Sequence, residues 1–376
     1  MRVAITYSYS LYWGGAERVL EVLAELFPTA DFFCLLADRR FIPPALRGRH
    51  ITTSFLNRMP FLKRYHRLFF ALYPIATESL NLKGYDLVIS SDGMATKGVI
   101  TDESARHVCY CHSPHRSLWD QYTHYQNTLH GLKKLAFTIS AHYVRQWDFS
   151  AAQRIDTFVA NSAYVADRIR KYYRRDSLVI YPPVGTMHGF ISTSTSDYYL
   201  TVGRLTNTKH TEIIVEACSA LSRRLMVVGA GEEMDRLRKQ AGPTVEFLGH
   251  VDEHRLRTLY SECRAFLFAA QEDCGIAPVE AQSYGRPVIA YAKGGALETV
   301  VESKNCVAES TGIFFHQQDS SALARAIEAF EAVEWDFSPE YIRRHSLKFD
   351  TSVFADRFFE ALDLPLSCPR DRSQLV

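Results

Sequence analysis

Short apolar runs alternate with amphipathic segments along most of the 376 residues, and this alternation constrains the fold more than any other feature. The runs that predict buried strands are 2–7, 86–90, 106–111, 157–160, 178–181, 198–202, 224–228, 244–248, 265–269 and 287–291. In the predicted helix 15–27, one face is formed at 3.6-residue spacing by Ala16, Val19, Leu20, Leu23 and Phe27. Because parallel strands need crossovers that usually hold a helix, the pattern predicts an α/β protein with parallel sheets covered on both faces.

The length and one proline-rich stretch predict two domains. A chain of this length is long for a single core. The sequence YPPVG at 181–185 is the best boundary, because two prolines end the preceding strand and block a continuing helix. We therefore expect a first domain over 1–181 and a second that begins at 182. A last amphipathic helix is predicted at 352–362, followed by a frayed tail.

Charge is distributed unevenly along the chain. Residues 1–181 hold 23 Lys and Arg against 15 Asp and Glu, whereas the remainder holds 20 against 27. The basic first part favours an anionic partner there. No basic run with interleaved aromatic residues matches a nucleic-acid-binding module, so nucleic acid is not an expected partner.

Cysteine usage and hydropathy favour the cytoplasm. The eight cysteines are scattered and form no CxxC pair, which argues against a disulfide framework or a zinc ribbon. The sequence has no apolar run typical of a signal peptide and no stretch of ~18 apolar residues that would span a bilayer. We expect a reduced, cytoplasmic protein.

The stretch AQEDCGIAPVEA (270–281) places a carboxylate on each side of a predicted strand-to-helix turn. Pro278 fits the first turn of the helix, where its missing N–H costs nothing. Backbone N–H groups near Gly275 would then point out of a helix N-terminus, which suits a phosphate. Glu272 would accept hydrogen bonds from sugar hydroxyls, and Glu280, taken as the third helical residue, would reach a ribose diol. The alternative is a solvated Glu272 and a Glu280 that only caps its helix.

Two cations follow another predicted strand. Gly203 and Arg204 come directly after the strand, and Lys209 lies five residues beyond Arg204. A forked guanidinium and an ammonium at the carboxyl end of a parallel strand are placed to clamp a diphosphate. In isolation, the same pair would be ordinary surface cations on a solvated loop.

Two further elements lie in the first half. Gly14 and Gly15 stand at a strand-to-helix junction, where glycine lets a ligand approach the backbone, although tight turns also use such pairs. His112 follows the strand 106–111, at the edge where open α/β sheets bind ligands, and a structural histidine is the simpler alternative. The cysteines and histidines of 109–115 also invite a zinc site, but their spacing is not that of tetrahedral ligands.

In this order, the four elements give the chain a resemblance to family 4 (GT4) of the GT-B glycosyltransferases. The family's E-x7-E motif is matched by Glu272 and Glu280, its G-G-x-E loop by Gly14-Gly15-Ala16-Glu17, and its G-R-x4-K segment by Gly203 to Lys209. The chain looks most similar to the bacterial mannosyltransferase branch that builds O-antigens and exopolysaccharides. That branch's H-(S/T)-P-x-R-x-x-W-D motif is matched by His112, Ser113, Pro114, Arg116, Trp119 and Asp120, and its G-G-A-L-E-T-V motif by 294–300.

The resemblance implies a GT-B fold, in which two Rossmann-like domains hold parallel sheets that face each other across a cleft. The first domain, 1–181, would bind the acceptor, and the second, 182–350, the nucleotide sugar. The helix within 351–376 would return to the first domain. A retaining hexosyltransferase is implied, with GDP-mannose as the expected donor and another GDP- or UDP-sugar as the alternative. No metal or other cofactor is expected, because Arg and Lys replace the metal in this family.

The resemblance also assigns roles to individual residues. The implied catalytic residues are His112, Arg204, Lys209 and Glu272. Arg204 and Lys209 would stabilise the departing nucleoside diphosphate, and His112 would contact the donor sugar near its reacting carbon. The implied donor-binding residues are Gly14, Gly15, Gly203, Cys274, Gly275, Ile276 and Glu280. The candidates for acceptor or donor contact are Arg116, Trp119, Asp120 and Asn161.

Two positions depart from the family pattern. Cys274 stands where the family usually has Phe, so the packing around the donor sugar is expected to differ while backbone N–H donation survives. Gly185 stands where the family has Asp or Asn after YPPV, so a side-chain contact from this position is not carried over.

The expected acceptor is a glycan or a sugar linked to polyprenyl diphosphate, and the segment 55–76 bears on it. Its apolar and basic residues are Phe55, Leu56, Phe61, Leu62, Leu68, Phe69 and Phe70 with Arg58, Lys63, Arg64 and Arg67. Such a segment suits peripheral contact with the cytoplasmic face of the inner membrane. The alternative is that its aromatic residues pack inside the first domain. Pro60 and Pro74 prevent one long helix.

Three rival functions stay open at this point. VVGAGEEM resembles a dinucleotide-binding loop at Gly229 and Gly231, but Met234 occupies the third glycine position. A GT-B epimerase or phosphorylase would share the fold, and the combined E-x7-E and G-G-x-E motifs favour GT4 over it. A non-catalytic sugar-binding protein would have no need for the full set of motif residues.

Overall fold

The alternating pattern folds as two sheets in which every strand pairing is parallel. The structure is a computed structural model that describes residues 1–10, 14–59 and 66–364. It divides into two units, each with its own sheet. The first contains Met1–Pro182 and the described residues from Ala355 onward, and the second contains Pro183–Phe354.

The first unit holds a seven-stranded sheet whose order reverses once. Its strands are β1 (Val3–Ser10), β2 (Asp31–Ala37), β3 (Ile51–Thr53), β4 (Leu87–Asp92), β5 (Arg106–Cys111), β6 (Thr157–Ala160) and β7 (Leu178–Val179). Its helices are α1 (Gly15–Leu26), α2 (Tyr73–Glu78), α3 (Tyr122–Asn127), α4 (Gly131–Gln153) and α5 (Ala163–Tyr173). The spatial order β3-β2-β1-β4-β5-β6-β7 reverses between β1 and β4, which is where open α/β sheets bind ligands.

The second unit repeats this arrangement with six strands. They are β8 (Tyr199–Val202), β9 (Leu225–Val228), β10 (Val245–Gly249), β11 (Phe266–Phe268), β12 (Val288–Tyr291) and β13 (Gly312–Phe315), in the order β10-β9-β8-β11-β12-β13. The helices are α6 (Thr211–Ala220), α7 (Met234–Gln240), α8 (Glu253–Glu262), α9 (Ile276–Ser283), α10 (Ala296–Thr299), α11 (Ser320–Val333) and α12 (Pro339–Ser346). Here the strand order reverses between β8 and β11.

Alternate residues of the second sheet feed two cores. Leu267 of β11 belongs to the cluster that includes helices α6 and α11, whereas its neighbours Phe266 and Phe268 belong to the cluster that includes α8 and α9. Since successive strand residues point to opposite faces, helices cover both faces, as the apolar runs predict.

Helix α13 (Thr351–Ala361) begins in the second unit and ends in the first. Within the first unit, the Phe359 ring lies 5.7 Å from the Phe27 ring, and Phe358 lies 6.3 Å from Tyr110. The Arg106 guanidinium donates hydrogen bonds to the carbonyl oxygens of Ala361 and Leu362, at 3.0 and 2.6 Å. These contacts attach the end of α13 to strand β5 of the first sheet and to the end of α1.

A buried ion network fixes the interior of the first unit. The Lys97 ammonium lies 3.1 Å from Asp92 Oδ2 and 2.6 Å from Asp148 Oδ1, and all three side chains are buried. Tyr173 and Trp119 donate hydrogen bonds to Asp148 Oδ2, at 2.9 and 2.8 Å. Burial alone would favour the neutral forms, but the opposite charges hold the pKa of Asp92 below and that of Lys97 well above their usual values.

Some sequence expectations need correction. The strands β2, β3 and β13 are not predicted, because an apolar run such as FFCLL does not by itself distinguish a strand from a buried helix, and β3 and β13 are short. In α1, Ala16 is exposed and Glu17 is buried instead. A carboxylate in the first helical turn is stabilised by the helix dipole, which hydrophobic spacing does not take into account.

The segment 55–76 is described in part. Phe55 and Phe69 are about two-fifths exposed, whereas Leu56 and Phe70 are buried. Phe61, Leu62, Lys63 and Arg64, and the side chains of Arg67 and Leu68, lie outside the described residues. Within the described ranges, no helix has both the length and the hydropathy needed to cross a bilayer.

The burial of His107 on β5 predicts how stability depends on pH. Its side chain is 1% exposed, and burial lowers its pKa from about 6.5 to about 4. The unfolded chain therefore binds the proton more readily than the folded one between these values. The stability that the neutral imidazole contributes is complete above pH 6.5 and is lost progressively as the pH falls towards 4.

We expect His107→Gln to reduce this pH dependence. Going from pH 7 to pH 5 should cost the wild type about 2 kcal/mol through His107 alone, and the amide of the variant does not titrate. Urea unfolding at the two pH values measures the difference. His124→Gln, on the surface of α3, is the matched control. An unchanged pH dependence in His107→Gln would contradict the assignment.

Candidate active site

The second unit brings two of the predicted motifs together at its strand-order reversal. Arg204 and Lys209 follow β8, and Glu272 follows the neighbouring strand β11. The Lys209 ammonium and the Glu272 carboxylate form an ion pair, although 63 residues separate them in sequence. Both side chains are partly exposed, and Arg204 is exposed at the end of the same strand. A cation and a carboxylate thus stand side by side where a ligand is expected.

Helix α9 begins directly after Gly275. Gly275 adopts a φ of 83°, a left-handed conformation that glycine tolerates best, and no side chain caps the helix. The first backbone N–H groups of α9, including that of Ile276, therefore have no acceptor within the helix. Such a terminus suits an anion.

Glu280 is placed differently from the sequence expectation. Because α9 starts at Ile276, Glu280 is its fifth residue, and not the third. The Tyr260 hydroxyl donates a hydrogen bond to Glu280 Oε2 at 2.8 Å, and the Tyr260 ring stacks on Tyr284. Tyr260 thus orients the carboxylate, and Glu280 lies two residues beyond the third helical position, which a capping box uses.

A double glycine after β12 supports the Glu272 loop, and sequence reasoning did not assign it to the site. The Gly295 N–H donates to the Glu272 carbonyl at 2.9 Å. A Cβ on Gly294 would lie 2.3 Å from that carbonyl oxygen, and a Cβ on Gly295 would lie 2.3 Å from Cys274 Cα. Only glycine permits this approach. The GGALETV match was the available signal.

Cys274 is buried beneath the same loop. Burial raises the pKa of its thiol, so the side chain stays neutral at ordinary pH. It therefore acts here as a small apolar residue in the position where the resemblance implies Phe.

The glycines of the GAGEE loop have a packing role. A Cβ on Gly229 would lie 1.9 Å from the Gly203 carbonyl oxygen, and one on Gly231 would lie 2.1 Å from that of Leu205. The Leu205 N–H donates to the Ala230 carbonyl at 3.0 Å. The loop after β9 therefore supports the Arg204 loop, which accounts for the G-x-G spacing without a dinucleotide.

In the first unit, Gly14 and Gly15 follow β1 at the strand-order reversal. Gly15 is the first residue of α1, and Gly14 caps it in an extended conformation with a φ of −169°. A Cβ on Gly14 would lie 3.3 Å from Glu17 Oε2, so the buried carboxylate closes against this glycine. The junction therefore leaves little space for a side chain.

His112 lies directly after β5, and three neighbours hold it. Its Nε2 is 2.8 Å from Ser91 Oγ, and its backbone N–H donates to the Asp92 carbonyl at 2.7 Å. Its carbonyl accepts a hydrogen bond from the Asn161 side chain at 3.0 Å. Ser91 was not predicted, because only the pairing of β4 with β5 brings it to His112.

The loop after His112 is anchored by a buried arginine. Arg168 donates to Ser113 Oγ and Asp120 Oδ1, both at 2.6 Å, and to the Pro114 carbonyl at 3.2 Å. Trp119 donates to Asp148, as described above, and stacks on Tyr172. Arg116 is half-buried in the same loop. Trp119 and Asp120 therefore have structural partners, and contacts to substrate from Arg116, Trp119, Asp120 and Asn161 stay predictions.

The cysteines and histidines of 109–115 do not form a metal centre. Cys109 and Cys111 are buried, and burial raises the pKa of Cys109 well above its usual value. Within the described ranges, no three His, Cys, Asp or Glu side chains are grouped so that they would hold a metal ion.

Two family models match the chain in succession. Residues 13–187 match the model of Glycosyltransferase Family 4, and residues 190–345 match that of Glycosyl transferases group 1. Together the matches cover most of the chain and include the residues described above. Both models describe glycosyltransferases, and the chain is a glycosyltransferase of the group 1, family 4 type.

Individual relatives of this family 4 chain match it over shorter lengths. An uncharacterised glycosyltransferase of Methanocaldococcus jannaschii is 29% identical over 159 residues, which is 40% of this chain and 39% of the relative. Glycogen synthase of Xanthomonas campestris is 29% identical over 145 residues, which is 36% of this chain and 29% of the relative. The chain thus spans well under half the length of these relatives.

Solved structures show the same fold. Anabaena HepE in complex with UDP has a TM-score of 0.70 at 19% identity, covering 96% of this chain and 100% of that one. The pneumococcal O-GlcNAc transferase GtfA, in complex with UDP and GlcNAc, has a TM-score of 0.63 at 14% identity, covering 96% and 98%. The two Rossmann-like units are those of the GT-B fold, as the sequence predicts.

We expect Gly294→Ala to weaken binding of a nucleotide sugar about tenfold or more. The new Cβ would displace the backbone carbonyl of Glu272 and thereby shift the carboxylate of the same residue. Gly249→Ala is the matched control, because Gly249 has a similar φ, 65° against 67°, but open space around it. Titration calorimetry compares the two. Equal affinities would contradict the supporting role of Gly294.

Proposed function

We propose that the protein is a retaining glycosyltransferase that moves a sugar from a nucleotide sugar to a lipid-linked or oligosaccharide acceptor in cell-surface polysaccharide synthesis. The observation that carries the proposal is the Lys209–Glu272 pair at the strand-order reversal of the second unit. An ammonium suits a diphosphate, and a carboxylate suits sugar hydroxyls. Since the two charges are adjacent, one nucleotide sugar would reach both.

The same charges supply the chemistry of the leaving group. When the bond between the sugar and the diphosphate breaks, negative charge develops on the departing phosphate oxygen. Arg204 and Lys209 stabilise that charge, and the N–H groups at the start of α9 add to it. This arrangement needs no metal, so we expect activity in the presence of EDTA.

The remaining motif residues orient the donor and the acceptor. Glu272 holds the sugar hydroxyls, and Glu280, oriented by Tyr260, holds the ribose. His112, held at Nε2 by Ser91, contacts the sugar near its reacting carbon. The acceptor hydroxyl attacks from the face that the leaving group vacates and gives its proton to the departing phosphate oxygen, so the configuration at the reacting carbon is retained.

Two donors are proposed, each with its own support. GDP-mannose, used by an α-mannosyltransferase, is favoured by the match to H-(S/T)-P-x-R-x-x-W-D and G-G-A-L-E-T-V. A UDP-sugar is the second candidate, because the related Anabaena HepE has been solved with UDP-glucose. Because a lipid-linked acceptor lies in the membrane, we expect the protein to make peripheral contact with the cytoplasmic face of the inner membrane.

We expect Lys209→Ala and Glu272→Ala each to reduce kcat at least about 100-fold, because both remove a charge that acts on the reacting donor. Transfer of radiolabelled sugar measures the loss, and melting temperature reports the fold. Arg257→Ala is the control, since it removes the cation of an exposed ion pair on α8 of the same unit. Near-normal turnover in either site variant would exclude the assignment.

We expect GDP and GDP-mannose to raise the melting temperature more than UDP and UDP-glucose at equal concentration. A ligand at 100 times its Kd stabilises the folded state by about 2.7 kcal/mol, which thermal-shift measurements resolve. A larger rise with the uridine nucleotides would select the second donor. No rise with any nucleotide would contradict the proposed function.

A further inference from the structure

Helix α4 carries an apolar strip that the described residues of the chain leave exposed. Leu132, Leu135, Ile139 and Tyr143 are 83%, 56%, 63% and 49% exposed. Their spacing of three or four residues places them on one side of the helix, over a length of about 16 Å. We call these four residues the α4 strip. Scattered apolar residues are normal on a surface, but an aligned set of this length is typical of a contact site.

The strip is exposed because the opposite side of α4 is firmly buried. Asp148 on that side joins the ion network of Lys97, and Ala141 and Val144 are in the core. The Phe137 ring packs against Phe70 and stacks on Tyr122. Rotating the helix to hide the strip would break these contacts and leave a buried charge without its partner.

The stretch of chain that carries the strip is basic. Between residues 121 and 154 the only acidic residue is Asp148, which is buried. Lys133 and Lys134 lie within the strip's first turn, and Lys133 is exposed. Aromatic Tyr125, which is 39% exposed, stands just before the helix. The surface therefore combines apolar side chains with net positive charge.

This charge decides between the possible occupants. A second copy packed antiparallel on the strip would bring Lys133 and Lys134 towards the other end of α4, where Arg145 and Arg154 are the charged residues that are not buried. The carboxylates beside that end already have partners, since Glu78 pairs with Arg154 at 3.1 Å and Asp156 accepts the His107 backbone N–H at 2.7 Å. Anionic lipid headgroups supply the missing negative charge, and the acyl boundary accepts the apolar side chains.

The polarity along α4 also fits shallow contact with a bilayer. The strip occupies the first half of the exposed face, whereas the second half presents Gln146, Ser150 and Gln153. An apolar patch of about three turns with flanking lysines suits the headgroup boundary of a membrane and is too short to span one.

We propose that the α4 strip docks the protein on an anionic membrane surface, with Leu132, Leu135 and Ile139 at the acyl boundary and Lys133 and Lys134 on lipid phosphates. The inference rests on the proposed function only for its purpose, which is to bring a lipid-linked acceptor to the enzyme. The four residues of the strip lie outside segment 55–76 in the sequence, and the contact requires neither donor nor acceptor.

Vesicle sedimentation with the full chain tests the proposal. Wild type should bind vesicles of phosphatidylcholine with phosphatidylglycerol and bind pure phosphatidylcholine far less. Leu132→Ser/Leu135→Ser/Ile139→Ser should lower the partition coefficient about tenfold or more. The matched control is Met187→Ser/Trp335→Ser, because these residues are 66% and 86% exposed in the second unit. It should bind like the wild type.

A second pair of variants tests the charge. Lys133→Ala/Lys134→Ala should lower the partition coefficient about fivefold for each lysine. Lys239→Ala/Lys304→Ala, which removes the same charge from exposed sites of the second unit, should leave it unchanged. Melting temperature and the nucleotide-induced shift verify that each variant is folded. They also separate the outcomes, because a failure of docking leaves the nucleotide response intact.

Three results would overturn the proposal. One is equal partitioning of the strip variant and the wild type, and another is equal binding to neutral and anionic vesicles. The third is a dimer of the wild type, seen by analytical ultracentrifugation, that the strip variant abolishes. The last outcome would assign the strip to a second copy of the chain.

Discussion

The reversal of strand order in each sheet determines where the candidate site residues of this protein lie. All strands of a parallel sheet end at one edge, and the loops on either side of the reversal run in opposite directions. In the second unit the reversal opens a crevice between the loops after β8 and β11, and Lys209 and Glu272 meet there. In the first unit the same reversal separates the loops after β1 and β4.

Close backbone packing holds the loops at the strand-order reversal of the second unit in place. The loops that hold Arg204 and Glu272 are short and irregular, so they need support from their neighbours. Gly229 lies against the Gly203 carbonyl, and Gly294 lies against that of Glu272. A side chain at either position would collide with backbone atoms, so the site is fixed by contacts that involve no functional side chain. Preorganisation of this kind lets the charges act without rearrangement.

The sequence predicts the fold and the main charges of the site for one physical reason. The hydrophobic periods of strands and helices depend on neighbouring residues, and the motifs lie at strand ends. The strands β5 and β6 and the position of Lys209 can therefore be predicted from nearby residues. Contacts between residues far apart in the sequence cannot be predicted in this way. The bond between Ser91 and His112 depends on strand pairing, and the approach of Gly294 to Glu272 depends on two loops from neighbouring strands. The burial of Glu17 instead of Ala16 likewise depends on the environment of the helix start, which hydrophobic spacing ignores.

The ion network of the first unit connects the outer helix to the inner site. Asp148 of α4 binds Lys97, Lys97 binds Asp92, and the Asp92 carbonyl accepts the backbone N–H of His112. Removing one member of a buried ion pair typically costs about 3–5 kcal/mol. Displacing α4 far enough to break these contacts would therefore be unfavourable. A continuous series of contacts links α4 to His112. If α4 rests on a membrane, the network therefore sets the distance between the bilayer and the residue assigned to the reacting sugar, and the acceptor has to reach across that fixed distance.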